Sequence, residues 1–306
     1  MSEGEASMVS GDPPAVARRR VRLALRGARE AKGLTQGQVA AALDWSLSKV
    51  NRIESGEVSV SGTDLRAMLA FYGITDPVRV DRLLDDARVS RRQRSWWADP
   101  KYREHLTSAT MQLLQFESEA SALRQFHLTI VPGLFQTPPY ANVILRSFAG
   151  ELSEDAIQVR FEVRMRRRQQ VLDKAAPPDL FLILDESVLH REVGGPAVMA
   201  EQLRELLRLG QAPNVLIRVV PLAVAAPIAL LGPFMILDLG DEEDAILYRE
   251  THLSDSVVHT PLKIKEHREI FEQLWERSLD DANSARLIET RATAMLYSLD
   301  RQEPSG

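Results

Sequence analysis

Leu34-Thr35-Gln36-Gly37-Gln38-Val39-Ala40-Ala41-Ala42-Leu43-Asp44-Trp45-Ser46-Leu47-Ser48-Lys49-Val50-Asn51-Arg52-Ile53-Glu54-Ser55-Gly56 decides the fold of the N-terminal part of this chain. Thr35 is a good N-cap, and Gln38 three positions on can reach back to the cap's own N–H, so a helix is expected to start there. Val39, Ala42 and Leu43 give it an apolar face at helical spacing. Asp44 falls where the turn needs a positive φ, which Asp tolerates better than most residues. Ser46 then caps a second helix whose inner side carries Val50 and Ile53, and Gly56 is placed to close it in the left-handed region. Ser48, Lys49 and Arg52 are expected to face outward. Two short helices joined by a tight turn can set one helix into a groove of DNA, whereas a hairpin in an ordinary bundle would show Leu or Glu at those outward positions.

The same residues resemble the Cro/C1-type (XRE) helix-turn-helix. The similarity runs from about Leu25 to Ile74. Leu25, Ala28 and Arg29 fit the preceding helix, and Leu65, Met68, Leu69 and Tyr72-Gly73 fit the following one. The resemblance implies that the second helix enters the major groove, with Ser46, Ser48, Lys49 and Arg52 nearest the base edges. Arg52 could bond O6 and N7 of guanine together. Gln36 and Ser55 suit phosphate and so orientation. Leu47 has two readings: core, by its period of three with Val50 and Ile53, or a contact to a thymine methyl. Glu54 cannot favour phosphate; it has two readings, an ion pair with Arg29 or simple solvation. Double-stranded DNA is the implied partner, bound by a homodimer on paired half-sites.

Charge distribution supports a DNA-binding module. The 306 residues carry a net charge of −5, but unevenly. Residues 18–95 hold 16 basic against 9 acidic side chains, residues 1–17 contribute −3, and residues 96–306 hold 22 basic against 31 acidic. Positive charge where phosphate must be met supplies sequence-independent affinity, and an acidic remainder stays off the duplex. The absence of cysteine excludes disulfides and Cys-based zinc sites, and fits a reducing cytoplasm. Residues 1–17 read as a disordered leader without the apolar core of a signal peptide. Val219–Leu237 is uncharged and nominally long enough to cross a bilayer, but Pro221, Pro227 and Pro233 make strand, buried loop, strand the better reading.

The expected organisation is a helix-turn-helix domain over 18–87, a basic linker over 88–95 and a second domain over 96–300. Arg18–Ala31 forms the first helix, with Val21, Ala24, Leu25 and Ala28 on one face, and Asp76-Pro77 starts the last. In the second domain Leu106–Gln125 is periodic and apolar. Helices are expected over Ser153–Leu172, Pro196–Leu209, Lys263–Leu279 and Ala282–Leu299. Strand-like runs occupy Leu180–Leu184, Val215–Val220, Phe234–Leu239 and Ala245–Tyr248. The fold class is therefore an all-α helix-turn-helix domain of the lambda-repressor kind, followed by an α+β domain with a small antiparallel sheet.

The second domain has its own resemblance. Trp96-Trp97, Phe116-Glu117-x-x-Ala120, Val131-Pro132-Gly133-Leu134-x-Gln136-Thr137-x-x-Tyr140-Ala141, Arg167-Arg168-Gln169, Asp185-Glu186-x-x-Leu189-x-Arg191 and Tyr248-x-Glu250 resemble the uncharacterised, DUF5753-like domain that follows the helix-turn-helix in an actinobacterial regulator family. Phe135 and Phe126-His127 depart from its usual pattern. The resemblance implies a transcriptional regulator and, as a further partner, a small acidic protein from a neighbouring gene. Glu186, Arg191 and Glu250 fall at expected strand ends. With Arg164 and Arg168 they form a candidate ligand or partner site, for which a structural ion-pair cluster is the alternative. No catalytic triad, Gly-rich phosphate loop or metal spacing stands out among the six histidines, so neither enzyme chemistry nor a cofactor or metal is expected. The leading expectation is a sequence-specific regulator whose acidic domain senses a small molecule or a partner protein. The rivals are an interaction module with vestigial DNA binding and a DNA-tethered enzyme acting on a nucleotide-like substrate.

Overall fold

The computed structural model describes residues 14–54, 58–91, 96–148, 150–224, 232–239, 245–250 and 255–300. Most of the expected leader, Ser55, Gly56, part of the basic linker and much of the buried loop expected within Val219–Leu237 lie outside the described residues. The chain divides into two compact units, Met1–Trp96 and Trp97–Gly306.

The first unit is all helical: α1 (Pro14–Ala31), α2 (Gln36–Ala42), α3 (Leu47–Glu54), α4 (Gly62–Phe71) and α5 (Pro77–Val89). Helix α1 begins at Pro14 rather than Arg18, because proline at the first helical position has its φ already set. The expected capping box is present: Thr35 Oγ1 accepts from Gln38 N–H at 3.2 Å, and Gln38 Oε1 accepts from Thr35 N–H at 2.8 Å. Asp44 sits between α2 and α3 at φ +53°, the left-handed region the turn demands. Ser46 Oγ accepts from Lys49 N–H and caps α3, while the Asp76 carboxylate accepts from Val78 and Arg79 N–H and caps α5. The apolar sides meet in one core that joins Val21 and Leu25 of α1, Val39 of α2, Val50 and Ile53 of α3, and Leu65 and Met68 of α4.

The second unit adds α6 (Pro100–Arg103), α7 (Ser108–Glu117), β1 (Ala122–His127), α8 (Pro138–Arg146), α9 (Glu154–Leu172), β2 (Asp179–Asp185), α10 (Glu186–His190), α11 (Pro196–Leu209), β3 (Val215–Val220), β4 (Phe234–Asp238), β5 (Ala245–Arg249), β6 (Ser256–Val258), α12 (Pro261–Arg277) and α13 (Asp281–Asp300). The expectation of a small antiparallel sheet is corrected. The sheet has six strands in the order β3-β2-β1-β4-β5-β6 and is mixed. Strands β1, β2 and β3 pair in parallel, whereas β4, β5 and β6 continue from β1 antiparallel. The cause lies in the connections: α8 with α9, and α10 with α11, are crossovers that return the chain to start each new strand from the same end. The periodic, apolar run Leu106–Gln125 holds two elements: α7, which stops at Glu117, and the first part of β1.

One face of the sheet packs Phe126, Ile183, Phe234 and Leu247 against Ile264, Phe271 and Leu274 of α12. By the alternation of a strand, Gln125 and His127 point to the other face, where both are buried. The register places Phe126 beside Ile183 and Phe234, and Phe234 beside Arg249, so β1, β2 and β5 finish at the same edge of the sheet. Among the described residues no helix is long and apolar enough to cross a membrane.

The turn between α2 and α3 makes a direct demand on Asp44. Asp44→Ile, which crowds the left-handed backbone, is expected to lower stability by about 1–2 kcal/mol, whereas Asp44→Gly should be close to neutral in urea unfolding.

Candidate functional site

In the first unit the candidate surface is the outer side of α3. Leu47 is 55% exposed, which removes it from the core, and Ser46, Ser48 and Asn51 are also exposed. Arg52 is half-buried at the edge of this face. Asn51 was not singled out from the sequence, although one helical turn separates it from Leu47 and puts both on the same face. Its amide matches the N6 and N7 groups of adenine. Lys49 is only half-exposed: its ammonium pairs with Asp64 at 2.8 Å and lies 3.7 Å from the Trp45 ring centroid.

Glu54 holds this surface in place from behind. It is buried at the end of α3, and its carboxylate accepts from Arg29 Nε of α1 at 2.8 Å and from Gln36 Nε2 of α2 at 2.9 Å. Gln36, expected on phosphate, therefore has its amide engaged inside the unit. Arg29 also donates to the carbonyl of Leu34 at 2.8 Å. The hydrogen bond to Glu54 raises the Arg29 guanidinium above its ordinary value. Nearby, burial and then the Glu54 charge push the Tyr72 phenol up to about 12.

The second unit carries a partly open cavity of about 460 Å³ just past the carboxyl ends of β1 and β5. Ile130 follows β1, Glu250 follows β5, Asp255 precedes β6, and Arg160, Arg164 and Arg167 reach in from α9. The buried anchor is Glu117 at the end of α7, whose two oxygens accept from Arg167 Nε and Nη2 at 2.5 Å each. Burial works against charge on Arg167, but Glu117 offsets it and holds the guanidinium above its ordinary value.

The Val131–Tyr140 loop seats Arg164. Val131 N–H donates to the Tyr140 hydroxyl, Gln136 Nε2 donates to the Val131 carbonyl, and Gln136 Oε1 accepts from Arg164 Nη1 at 2.7 Å. Gln202 of α11 clamps the loop through Thr137 N–H and the Phe135 carbonyl. A methyl group at Gly133 would lie 3.4 Å from Arg167 Nη1 and 3.7 Å from Arg164 Nε, ordinary van der Waals distances, so both arginine side chains pass directly over this turn.

Arg164 lies deep in the unit yet keeps accessible surface, because it faces the cavity. Burial, with the Arg167 charge beside it, lowers its guanidinium to about 10. Asp255 accepts a hydrogen bond from Tyr248, but burial and the nearby Glu250 charge raise its carboxyl above the ordinary range. On β1, burial with Arg167 nearby pulls His127 down to about 3 and keeps it neutral.

The residues expected to form one C-terminal cluster are separated. Arg164 and Glu250 line the cavity. Arg168 instead pairs with Glu205 of α11. Glu186, on α10, accepts from Leu222 N–H at 2.9 Å and lies 3.4 Å from His190, while Arg191 is exposed. Glu117 and Arg167 belong to two separate motifs of the resemblance, Phe116-Glu117-x-x-Ala120 and Arg167-Arg168-Gln169, and their pairing is not expected from either. Fifty positions separate them, so no local spacing reveals the pair.

Comparison with known families gives two matches: a helix-turn-helix domain over residues 21–83, and a domain of unknown function (DUF5753) over residues 110–290, more than half of the chain. No curated protein and no solved structure matches it.

Two outcomes follow for the second unit. Glu117→Gln leaves the Arg167 charge buried without its counter-ion and should cost about 3–5 kcal/mol in chemical unfolding. For His127, the folded group titrates well below the ordinary imidazole value, so its contribution to stability is full above about pH 6.5 and is lost as pH falls toward about 3. The stability difference between wild type and His127→Asn should therefore narrow between pH 7 and pH 4, and a constant difference would contradict a buried neutral imidazole.

Proposed function

Because the chain belongs to the DUF5753 family and carries a helix-turn-helix domain ahead of that region, we propose that it is a sequence-specific, DNA-binding transcriptional regulator acting in the cytoplasm. The observation that carries this reading is the outer side of α3, where Leu47, Ser48 and Asn51 stand exposed beside Arg52 on a net-basic unit. Asn51 and Arg52 read adenine and guanine edges, Leu47 meets a thymine methyl, and Ser46 and Ser48 border them. Gln36 and Ser55 contact phosphate at the margins, the former on exchanging its bond to Glu54. Lys49 contributes to the potential around the helix more than to base reading, since Asp64 and Trp45 already engage it. A single recognition helix covers only a half-site, so the protein binds as a homodimer of this Cro/C1-like kind.

The second domain is a binding domain rather than a catalytic one, and it senses a small molecule. The cavity favours this over docking of an acidic partner protein, because its charged groups line a concave space of ligand size.

DNase footprinting on the gene's own upstream DNA tests the proposal. Two protected half-sites about one helical turn apart are expected; protection of a lone half-site at saturation removes the dimer, and no footprint removes sequence-specific binding. Arg52→Ala and Asn51→Ala should each weaken cognate binding by about 1–3 kcal/mol while leaving random-sequence binding nearly unchanged. Equal losses on both DNAs would show that these side chains do not read bases.

A further inference from the structure

We infer that the cavity past β1 and β5 is a binding site for a small zwitterion with an apolar body, whose anionic group meets Arg164 and Arg160 and whose cationic group meets Glu250 and Asp255. The inference rests on the reading of the second domain as a small-molecule sensor and names the chemistry of what it senses.

The cavity has three kinds of wall. Leu106, Leu114, Ile144, Phe148 and Leu152 supply apolar surface. Helix α9 supplies cations: Arg167 is neutralised by Glu117, which leaves Arg160, bonded to the carbonyl of His105, and Arg164, bonded to the neutral Gln136. Glu250, just after β5, and Asp255, just before β6, supply acids, with Glu250 close enough to disfavour charge on Asp255. Glu250 and Arg164 attract one another, yet no salt bridge among the described residues joins them. Like charges thus sit together on each side, and the opposite charges face a common space without closing it.

Half-buried charges carry a desolvation cost that a partner of opposite sign offsets, so the occupant should supply both signs. A plain anion is drawn to the arginines but repelled by Glu250 and Asp255, and a plain cation meets the reverse. A neutral apolar molecule displaces water from both pairs and satisfies neither. A polyphosphate brings more negative charge than two acidic neighbours tolerate. A zwitterion bridges the two sides, and a volume of about 460 Å³ holds one of amino-acid size with its apolar body against the leucines and Phe148.

The test uses the full chain and three probes sharing one apolar body: L-phenylalanine, 3-phenylpropionate and phenethylamine. L-leucine and L-tryptophan serve as further zwitterions. Calorimetry and thermal melting should show a zwitterion binding about tenfold or more tighter than either half-molecule. Glu250→Gln should weaken phenylalanine and strengthen 3-phenylpropionate, while Arg164→Gln should weaken phenylalanine and strengthen phenethylamine. A folding defect cannot produce this crossed pattern, since each variant gains affinity for one probe. The inference is overturned if no zwitterion binds at about 10 mM, if 3-phenylpropionate binds wild type as tightly as phenylalanine, or if either variant loses all probes equally. DNA affinity with and without phenylalanine is measured separately. Crossed binding with unchanged DNA affinity upholds the site and removes only the sensing role.

Discussion

A carboxylate taken out of water must be met by donors that do not leave, and each unit is built around one such group. In the first, Glu54 receives Arg29 from α1 and Gln36 from α2, so three helices converge on one buried charge. The bond geometry fixes where α3 points, a matter that apolar packing of Val50 and Ile53 leaves looser because hydrophobic contacts have little directionality. In the second, Glu117 receives both arms of Arg167 and ties α7 to α9. Neither pair is strong evidence of net stability, since the desolvation cost is large; what each supplies is a defined arrangement that collapses when one partner is lost.

Counting charges and placing them lead to different pictures of the DNA surface. The first unit is basic by composition, but several cations and amides that composition assigns to DNA are engaged within the fold: Arg29 on Glu54, Gln36 on the same carboxylate, Lys49 on Asp64 and Trp45. The excess charge therefore acts as a field that draws in phosphate of any sequence. In the proposed reading, discrimination falls to the exposed side chains on the outer side of α3, where short ones such as Ser48 and Asn51 would let the backbone approach the base edges.

How much of this was legible depends on the range of the interaction that specifies each feature. The Thr35–Gln38 box, the positive φ of Asp44, the Ser46 and Asp76 caps, the helix Pro196–Leu209 and the strand Val215–Val220 are written in neighbouring residues and could be read directly. Strand β1 could not, because it is buried on both faces and lacks clean alternation, and its Arg124 is compensated by Asp238, 114 positions away. Parallel pairing is equally non-local, although a helix lying between Leu180–Leu184 and Val215–Val220 was itself the signature of a crossover. The candidate site divides in the same way. The reading put Glu250 at a strand end, and it directly follows β5, but it grouped Glu250 and Arg164 with Glu186 and Arg191, which the fold places on and just after α10.

The open charges of the cavity also bear on how occupancy could be felt elsewhere. If the domain were shaped for stability alone, Arg164 and Glu250 would be expected to close on one another; they remain apart because Gln136 and the clamped Val131–Tyr140 loop hold Arg164 to one side. A ligand bridging the two sides would add to the attraction between α9 and the end of β5. Helix α9 carries Arg160, Arg164 and Arg167 on a continuous 19-residue rod whose neighbour α7 is fixed to it through Glu117. A pull on that rod is therefore shared by α7 rather than absorbed at one side chain. Binding shifts an equilibrium only by its differential affinity for the two states, and a bridged, formerly open charge pair is a source of such a difference.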